Sequence, residues 1–285
     1  MRLGHINPNR IQRLIKDGLL EPLDFDEFLV YESCLEGKMT KRPFSAKGRR
    51  AQELLELVHT NVCGPMLTQA KGGYEYFITF TDDYSRYGYV YLMKRKSEDF
   101  EKFKEFRAEV ENQLGKHIKV IRSDRGDECL LGNFKDYLTQ NGIVSQLTAP
   151  RTPQQNGVAE RRNRTLLEMV RSMMSYSTLP ISFWGYALNT TIHLLNLVPS
   201  KHVPKTPMGL WSGRKPSMRY LHIWGCPAHV LKGKPNKLEP KSEVCLLVGY
   251  PKETKGYLFY NHKDNKVFVS TNAKFLENDY GSVWI

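Results

Sequence analysis

The chain has 285 residues, of which 40% are hydrophobic, and its 42 Lys and Arg residues outnumber its 30 Asp and Glu residues, for a formal net charge of +12. The hydrophobic content excludes a wholly disordered chain, and the length allows one large domain or two smaller ones. The excess of basic residues indicates either a polyanionic partner, with nucleic acid as the leading candidate, or a solvated basic surface.

No run of about 18 apolar residues is present, so the sequence predicts no membrane-spanning helix. The N-terminus has no apolar signal-peptide core. The 5 cysteines are scattered without framework spacing, which predicts reduced thiols. We therefore expect a nuclear or cytoplasmic protein that is not secreted and has no membrane partner.

Residues 1–45 are predicted to form a small helical module. Asn7 or Pro8 can begin a helix whose apolar residues recur at helical spacing, and Gly18 lies near its end. Residues 46–53 are polar and basic, which predicts a linker.

Residues 54–199 carry alternating strand and helix signals. LLELVHTNV, YEYFITFTD and YGYVYLMK predict three consecutive antiparallel strands, because β-branched and aromatic residues alternate with turn signals. A helix with an apolar face follows between Ser97 and Gly115. The strands IKVIRSD and IVSQLTA come next, with a short helix between them, and two long helices close the unit. This order predicts an α/β fold, a mixed sheet with helices on both faces.

The last part of the chain predicts a small β domain. Residues 200–220 are rich in Pro and Lys and predict a connector, whereas residues 221–285 contain short strands at turn-marked intervals. Lysines near the start of this domain either contact phosphate or form a solvated face; they are Lys232, Lys234, Lys237 and Lys241.

Two carboxylates point to the chemistry. Asp124 ends a β-branched apolar run and Glu160 lies in the first turns of a long helix, with 35 residues between them. Folding that brings them together would let them share Mg²⁺, which prefers carboxylate oxygens, waters and phosphate oxygens. Two such ions about 4 Å apart clamp the attacking and leaving oxygens of a phosphodiester. The alternative is that Glu160 and Arg164 form only a surface i,i+4 pair.

Three blocks carry a family resemblance: SDRGDE around Asp124, TAPRTPQQNGVAERRNRTLLEMVRSM, and HTNVCGPM. They resemble the integrase region of Copia-type long-terminal-repeat retrotransposon Pol polyproteins, and the resemblance covers essentially the whole chain. It implies an RNase H-like core over residues 54–199, built on a mixed five-stranded sheet. It further implies a helical remnant of a zinc-binding module before the core and a small β-barrel-like domain after it.

The resemblance also implies three acidic ligands for Mg²⁺ or Mn²⁺. Asp124 corresponds to the second acid and Glu160 to the third, and Asn61 stands at the position of the first. The implied reactions are trimming of element DNA ends and their transesterification into target DNA by a homo-oligomer. The residues implied to meet DNA precede or follow Glu160; they are Gln155, Asn156, Arg161, Arg162, Arg164 and Arg171.

Asn61 changes this expectation, because an amide is neutral and offers one acceptor oxygen where a carboxylate offers two. We therefore predict weak or absent Mg²⁺-dependent activity. Asp82 and Asp83 lie in a predicted turn, where Asp favours local hydrogen bonds. We therefore expect them to have a role in the turn and not to substitute for the missing acid.

The zinc-binding module is incomplete in the same way. Only His5 and Cys34 match its ligands, and a tetrahedral structural zinc site needs four N or S ligands, so no tight zinc binding is expected. Together with Asn61, this predicts a degenerate or truncated copy of the family. A non-enzymatic nucleic-acid-binding protein in host use and another RNase H-like nuclease or transposase are the alternatives.

Overall fold

The computed structural model describes residues 8–21, 50–123, 133–147, 157–200, 203–233 and 236–277. None of the helices within these ranges combines the length and apolar character that crossing a bilayer requires. The helices are α1 (Pro8–Lys16), α2 (Asp99–Leu114), α3 (Asn133–Gln140), α4 (Gly157–Tyr176), α5 (Trp184–Leu197) and α6 (Pro207–Ser212).

The first sheet has five strands, which are β1 (Leu57–Cys63), β2 (Tyr76–Asp82), β3 (Gly88–Met93), β4 (Val120–Ser123) and β5 (Val144–Leu147). Their order is β3-β2-β1-β4-β5. β2 is antiparallel to both β1 and β3, whereas β4 is parallel to β1 and β5 is parallel to β4. The sheet is therefore mixed and five-stranded, so the predicted α/β architecture is confirmed.

Helices α2 and α3 cover one face of this sheet. Phe103, Phe106 and Val110 recur at helical spacing along α2 and are buried. The ring of Phe106 stacks on Phe80 of β2 with centroids 4.3 Å apart. The helix ends at Gly115, whose φ of 62° is the left-handed conformation that favours glycine.

Helices α1, α4 and α5 pack on the opposite face of the sheet. Leu166 of α4, Leu188 of α5 and Leu14 of α1 belong to one buried apolar cluster there. Nearly the whole circumference of α5 is buried, because a second sheet packs against its other side. The prediction of helices on both faces is thus confirmed.

The second sheet is antiparallel and has the order β10-β6-β7-β8-β9. Leu246, Val248 and Tyr260 pack it against α5. The side chain of Lys71, between β1 and β2, donates a hydrogen bond to Asn265 beyond β8. The strands are β6 (Pro227–Leu231), β7 (Ser242–Gly249), β8 (Tyr257–Asn261), β9 (Lys266–Ser270) and β10 (Ala273–Phe275).

Residues 200–220 contain a helix that the sequence analysis did not predict. Thr206 caps α6 by accepting a hydrogen bond from the Gly209 N–H at 3.0 Å, and Pro207 occupies the first turn. Trp211 is buried and stacks on Tyr87 with ring centroids 4.9 Å apart. The Pro- and Lys-rich composition predicted a connector, and within these residues the Thr-Pro pair begins a helix.

Candidate active site and nucleic-acid-binding surface

Asn61 lies on β1, on the sheet face that carries α4 and α5. Side chains alternate along a strand, and Cys63, two residues on, packs against the apolar cluster of α4 and α5. Val58 points to the opposite face and packs with α2. The β1–β4 register ends with His59 opposite Arg122, two residues before Asn61. Asn61 therefore stands near the carboxyl end of β4, on the α4 face.

A buried hydrogen bond fixes α4 against this part of the sheet. Thr79 is the β2 residue opposite Asn61, and its Oγ1 donates to Asn163 Oδ1 on α4 at 2.8 Å. Both side chains are buried. The Nδ2 group of Asn163 is also buried and has no hydrogen-bond partner in the described part of the chain. This hydrogen bond, which lies beside Asn61, thus fixes the rotation of α4 about its axis.

Glu160 lies in the first turn of α4, three residues before Asn163. Residues three apart are neighbours on a helix surface, so Glu160 is on the same side of α4 as Asn163, which is the side that faces the sheet. Its side chain is only partly exposed. The structure therefore places Asn61 and Glu160 on the same face of the sheet, at adjoining elements.

The other acid position falls outside the described residues. Ser123 is the last described residue of β4, and Asp124 follows it in the chain. Among the described residues, no group of three or more His, Cys, Asp or Glu side chains could hold a metal ion. His5, Cys34, Gln155 and Asn156, which the sequence also predicted as site residues, likewise lie outside the described ranges.

Asp82 is committed to the β2–β3 turn. Its Oδ1 accepts from the Leu55 N–H at 2.9 Å, and its Oδ2 accepts from the N–H and the hydroxyl of Ser85 at 2.7 and 2.6 Å. Burial raises the pKa of this carboxyl, and the bonds from Ser85 oppose the rise. Asp82 pairs with Val58, three residues along β1 from Asn61.

Asp83 is committed in the same way. Its Oδ1 lies 2.9 Å from both His59 Nε2 and Arg86 Nη1, and its Oδ2 accepts from the Ala51 N–H at 2.7 Å. Burial opposes ionisation of Asp83, but the hydrogen bond from His59 and the charge of Arg86 outweigh it and hold the pKa of Asp83 well below its usual range. Both acids are thus engaged by contacts within the protein, of which those to Ser85 and Arg86 are the local ones that the turn position predicted.

The four arginines of α4 do not share one environment. Arg161, Arg164 and Arg171 are exposed, and Arg161 Nε donates to the Gly157 carbonyl at 2.7 Å. Arg162 is directed inward, where its Nη2 donates to Asn196 Oδ1 on α5 at 3.2 Å. Burial lowers the pKa of Arg162 to about 9.

The pocket that receives Arg162 is built by Gly88 and Asn196. A Cβ at Gly88 would come within 2.9 Å of Arg162 Nη2, so a larger residue there would have to displace the guanidinium. Asn196 accepts from the Gly88 N–H at 2.9 Å and donates to the Gly88 carbonyl at 2.8 Å. Sequence reasoning missed both residues, because a glycine within a strand pattern is the only local signal of such a close approach.

The lysines near the start of the second sheet lie in the β6–β7 connection. Lys237 and Lys241 are exposed and Lys232 is partly exposed, while Lys234 lies outside the described residues.

Known proteins are similar to this chain over nearly its whole length. A GAG-pre-integrase domain model matches residues 1–39, and a retroviral polymerase SH3-like domain model matches residues 226–283. The retrovirus-related Pol polyprotein from transposon TNT 1-94 of Nicotiana tabacum is 38% identical over 281 residues, which is 98% of this chain and 21% of that protein. The retrovirus-related Pol polyprotein from transposon RE1 of Arabidopsis thaliana is 29% identical over an alignment that covers 97% of this chain and 19% of that protein. The chain thus spans about a fifth of the length of these curated relatives.

Two solved structures are also similar. The simian T-cell lymphotropic virus intasome in complex with PP2A regulatory subunit B56 gamma matches with a TM-score of 0.49 and 18% identity, over 84% of each chain. The HTLV-2 integrase catalytic core domain in complex with magnesium matches with a TM-score of 0.43 and 19% identity, over 57% of this chain and 99% of that one.

Proposed function

Because the chain belongs to the integrase region of Copia-type retrotransposon Pol polyproteins, we propose that it is an integrase-like protein that binds DNA but joins strands poorly. The family reaction is Mg²⁺-dependent phosphodiester transesterification, which comprises end processing and strand transfer. The observation that carries the proposal is the position of Asn61, on the α4 face of the sheet beside the end of β4.

The register of the sheet supports this role for the position. β1 and β4 pair residue by residue as far as His59 and Arg122. In the chain, Asn61 comes two residues after His59, and Asp124 comes two residues after Arg122. Side chains two residues apart share a face, so the two positions and Glu160 would converge. In this chain these three positions carry two carboxylates, Asp124 and Glu160, and one amide, Asn61.

The donor set fits one cation better than two. Asp124 and Glu160 would hold a divalent ion, whose chemistry is to polarise the phosphodiester and stabilise the developing charge. Asn61 contributes at most one neutral oxygen to that ion. The neutral amide cannot bridge two cations as a carboxylate does, so a two-ion site in this chain would lack one of its three carboxylate ligands. Weak strand joining follows from this single lost charge.

Binding of DNA does not depend on that charge. Arg161, Arg164 and Arg171 are exposed along α4, and arginine contacts to phosphate position a duplex without reading its sequence. Gln155 and Asn156 precede α4 and would meet the DNA end. We propose element ends and target DNA as partners, a homo-oligomer as the working form, and the nucleus or cytoplasm as its location. Under the alternative, the chain binds nucleic acid and has no strand-joining activity at all.

The test is strand transfer on a short labelled duplex in Mg²⁺ and in Mn²⁺, with the unaltered chain, Asn61→Asp and Asn61→Ala. We expect joining by the Asp variant alone, since it restores the charge, while Ala controls for removal of the amide. Joining by the unaltered chain at the rate of Asn61→Asp refutes the assignment of the first acid. Salt-dependent DNA binding without joining by any of the three proteins favours the non-enzymatic alternative.

A further inference from the structure

The α4 face of the first sheet is covered only in part. In the strand order β3-β2-β1-β4-β5, α4 packs over β1 and β2. Over β4 and β5 the same face is open, since Val144 is 55% exposed, Gln146 is exposed, and Val120 and Arg122 are partly exposed. These four residues are called the β4–β5 floor below.

The strand register shows that the β4–β5 floor and Asn61 belong to one face of the sheet. His59 comes two residues before Asn61 on β1, so both side chains lie on the α4 face. His59 pairs with Arg122 of β4, and Arg122 pairs with Gln146 of β5. Paired residues of neighbouring strands lie on the same face of a sheet. Asn61 begins the next row along the strands, so the floor adjoins the candidate acid site on the side away from α4.

Arg122 and Gln146 are joined across the β4–β5 floor. The Nη2 and Nε groups of Arg122 both donate to Gln146 Oε1, at 2.8 and 3.3 Å. The acceptor is a neutral amide oxygen, so this contact leaves the positive charge of Arg122 uncompensated, and the other N–H groups of the guanidinium are not used by it. The floor therefore presents a positively charged donor group whose direction is fixed by a neighbouring strand.

The reaction of the proposed function brings two DNA segments to one phosphate. A 3′-oxygen of the element end attacks a phosphorus of the target strand, and the 3′-oxygen of the target strand leaves in line with the attack, on the opposite side of that phosphorus. The element end and the target duplex therefore approach the acid site from different sides. The exposed Arg161 and Arg164 of α4 are on one side, and the β4–β5 floor is on the other.

We infer that the β4–β5 floor holds the target duplex, with Arg122 as a phosphate contact. This inference rests on the proposed function and assigns one of its two DNA partners to a surface. The planar donors of guanidinium match the oxygens of phosphate, and the charge of Arg122 has the sign that a phosphate neutralises. Gln146 is a positioning residue, because it contacts the guanidinium and sets the direction in which it points.

The first experiment compares two DNA duplexes of equal length and sequence, one with open ends and one whose ends are closed by hairpin loops. The closed duplex offers no end, so it binds only as a target does. We expect Arg122→Gln to weaken binding of the closed duplex about tenfold and to lower the slope of its salt dependence by about 0.9. The open duplex should lose less, because its ends still bind at α4. Arg219→Gln, at an exposed arginine outside the floor, is the matched control and should bind both duplexes as the unaltered chain does.

The variant Gln146→Glu separates the charge of Arg122 from its structural contact. A carboxylate at this position still accepts from Arg122, so the link between β4 and β5 is kept while the positive charge is neutralised. We expect Tm to stay the same or rise, and binding of the closed duplex to fall as it does in Arg122→Gln. A purely structural pair would leave binding intact wherever the fold is intact. Undiminished binding of the closed duplex by folded Gln146→Glu therefore overturns the inference, and this test stays decisive if Arg122→Gln fails to fold.

The two duplexes also separate this inference from the proposed function. If the unaltered chain binds both duplexes and neither variant of the β4–β5 floor changes that binding, the inference fails and the proposed function stands. If both duplexes are weakened equally, the floor does not distinguish a target from an element end, and the assignment to the target fails. If the unaltered chain binds neither duplex, the proposed function fails and the inference fails with it.

Discussion

Thr79 and Asn163 are joined by a buried hydrogen bond of 2.8 Å that ties β2 to α4 directly beside Asn61. Through this bond, the helix that carries Glu160 is oriented on the strand pair that carries Asn61. The geometry around the missing acid is therefore maintained by neutral side chains, and the charge at residue 61 does not hold it together. This geometry therefore does not require a carboxylate at residue 61.

Restoring the acid should alter the response of stability to metal. Under the proposed function, Asn61→Asp adds a third carboxylate to the site of Asp124 and Glu160, so we expect it to lower the free energy of unfolding by about 1 kcal/mol without metal, since like charges repel. Mg²⁺ should then raise Tm more in this variant than in the unaltered chain. Thermal scans with and without Mg²⁺ measure the effect, with Asn61→Ala as control. Equal responses to Mg²⁺ in all three proteins would show that residue 61 does not face the metal site.

Breaking the bond between Thr79 and Asn163 should destabilise the protein. Thr79→Val keeps the shape but leaves the Asn163 oxygen buried without a donor, which costs about 1–3 kcal/mol. Asn163→Leu in the same protein removes the stranded amide, so the double variant should lose less than the sum of the two single variants. Urea unfolding measures all three. Additive losses would mean that the two side chains act independently.

Gly88 should resist the smallest possible substitution. A Cβ there would lie 2.8 Å from Ile192 Cδ1 and 2.9 Å from Arg162 Nη2, so Gly88→Ala should cost about 1–3 kcal/mol through overpacking. Ile192→Val in the same protein should recover part of the loss. The matched control is Gly233→Ala, because nothing lies within 4 Å of a Cβ at Gly233. Equal stability of the two alanine variants would refute the close packing of Arg162 on Gly88.

His193 should make the protein less stable in mild acid. Its Nε2 lies 3.0 Å from the Tyr220 hydroxyl and its ring stacks on Tyr250, and burial lowers the pKa of His193 to about 4. Since the folded-state pKa is below the unfolded value of about 6.5, this contribution is complete above pH 6.5. It is lost as the pH falls toward 4, because the unfolded chain binds the proton more readily.

The expected loss is up to about 3 kcal/mol between these pH values. His193→Phe keeps an aromatic ring and removes the titrating group, so its stability should depend less on pH over this range. Denaturant unfolding at several pH values measures the difference. Parallel pH profiles for the two proteins would exclude His193 as the cause.

Trp211 should be one of the most sensitive positions outside the site. It stacks on Tyr87, and its Nε1–H donates to Gln113 on α2 at 3.1 Å. Trp211→Ala should cost about 3–5 kcal/mol, whereas Trp211→Phe keeps the stacking and should cost about 1 kcal/mol for the lost hydrogen bond. Unfolding by guanidinium compares them. A small effect of Trp211→Ala would show that α6 does not stabilise the first sheet.

Local patterns in the sequence were sufficient to predict the order and type of the main elements, and they supplied the hypothesis for the candidate site. Strand and helix periods are local properties of the backbone, so the three antiparallel strands, α2 and α4 could be predicted from neighbouring residues alone. The replacement at Asn61 is likewise a fact of sequence, since an amide lacks the charge of a carboxylate whatever surrounds it. Residue identity also predicted the local role of Asp82 and Asp83 in their turn.

The tertiary structure alone decided where the side chains of these elements point. Arg161 and Arg162 are adjacent in sequence, yet one is exposed and the other rests over Gly88, because the rotation of α4 is set by contacts with β2 and α5. Residues far apart in the chain make those contacts, and no local pattern records them. The same holds for Trp211, which stacks on Tyr87 and packs with the core on one face of the first sheet.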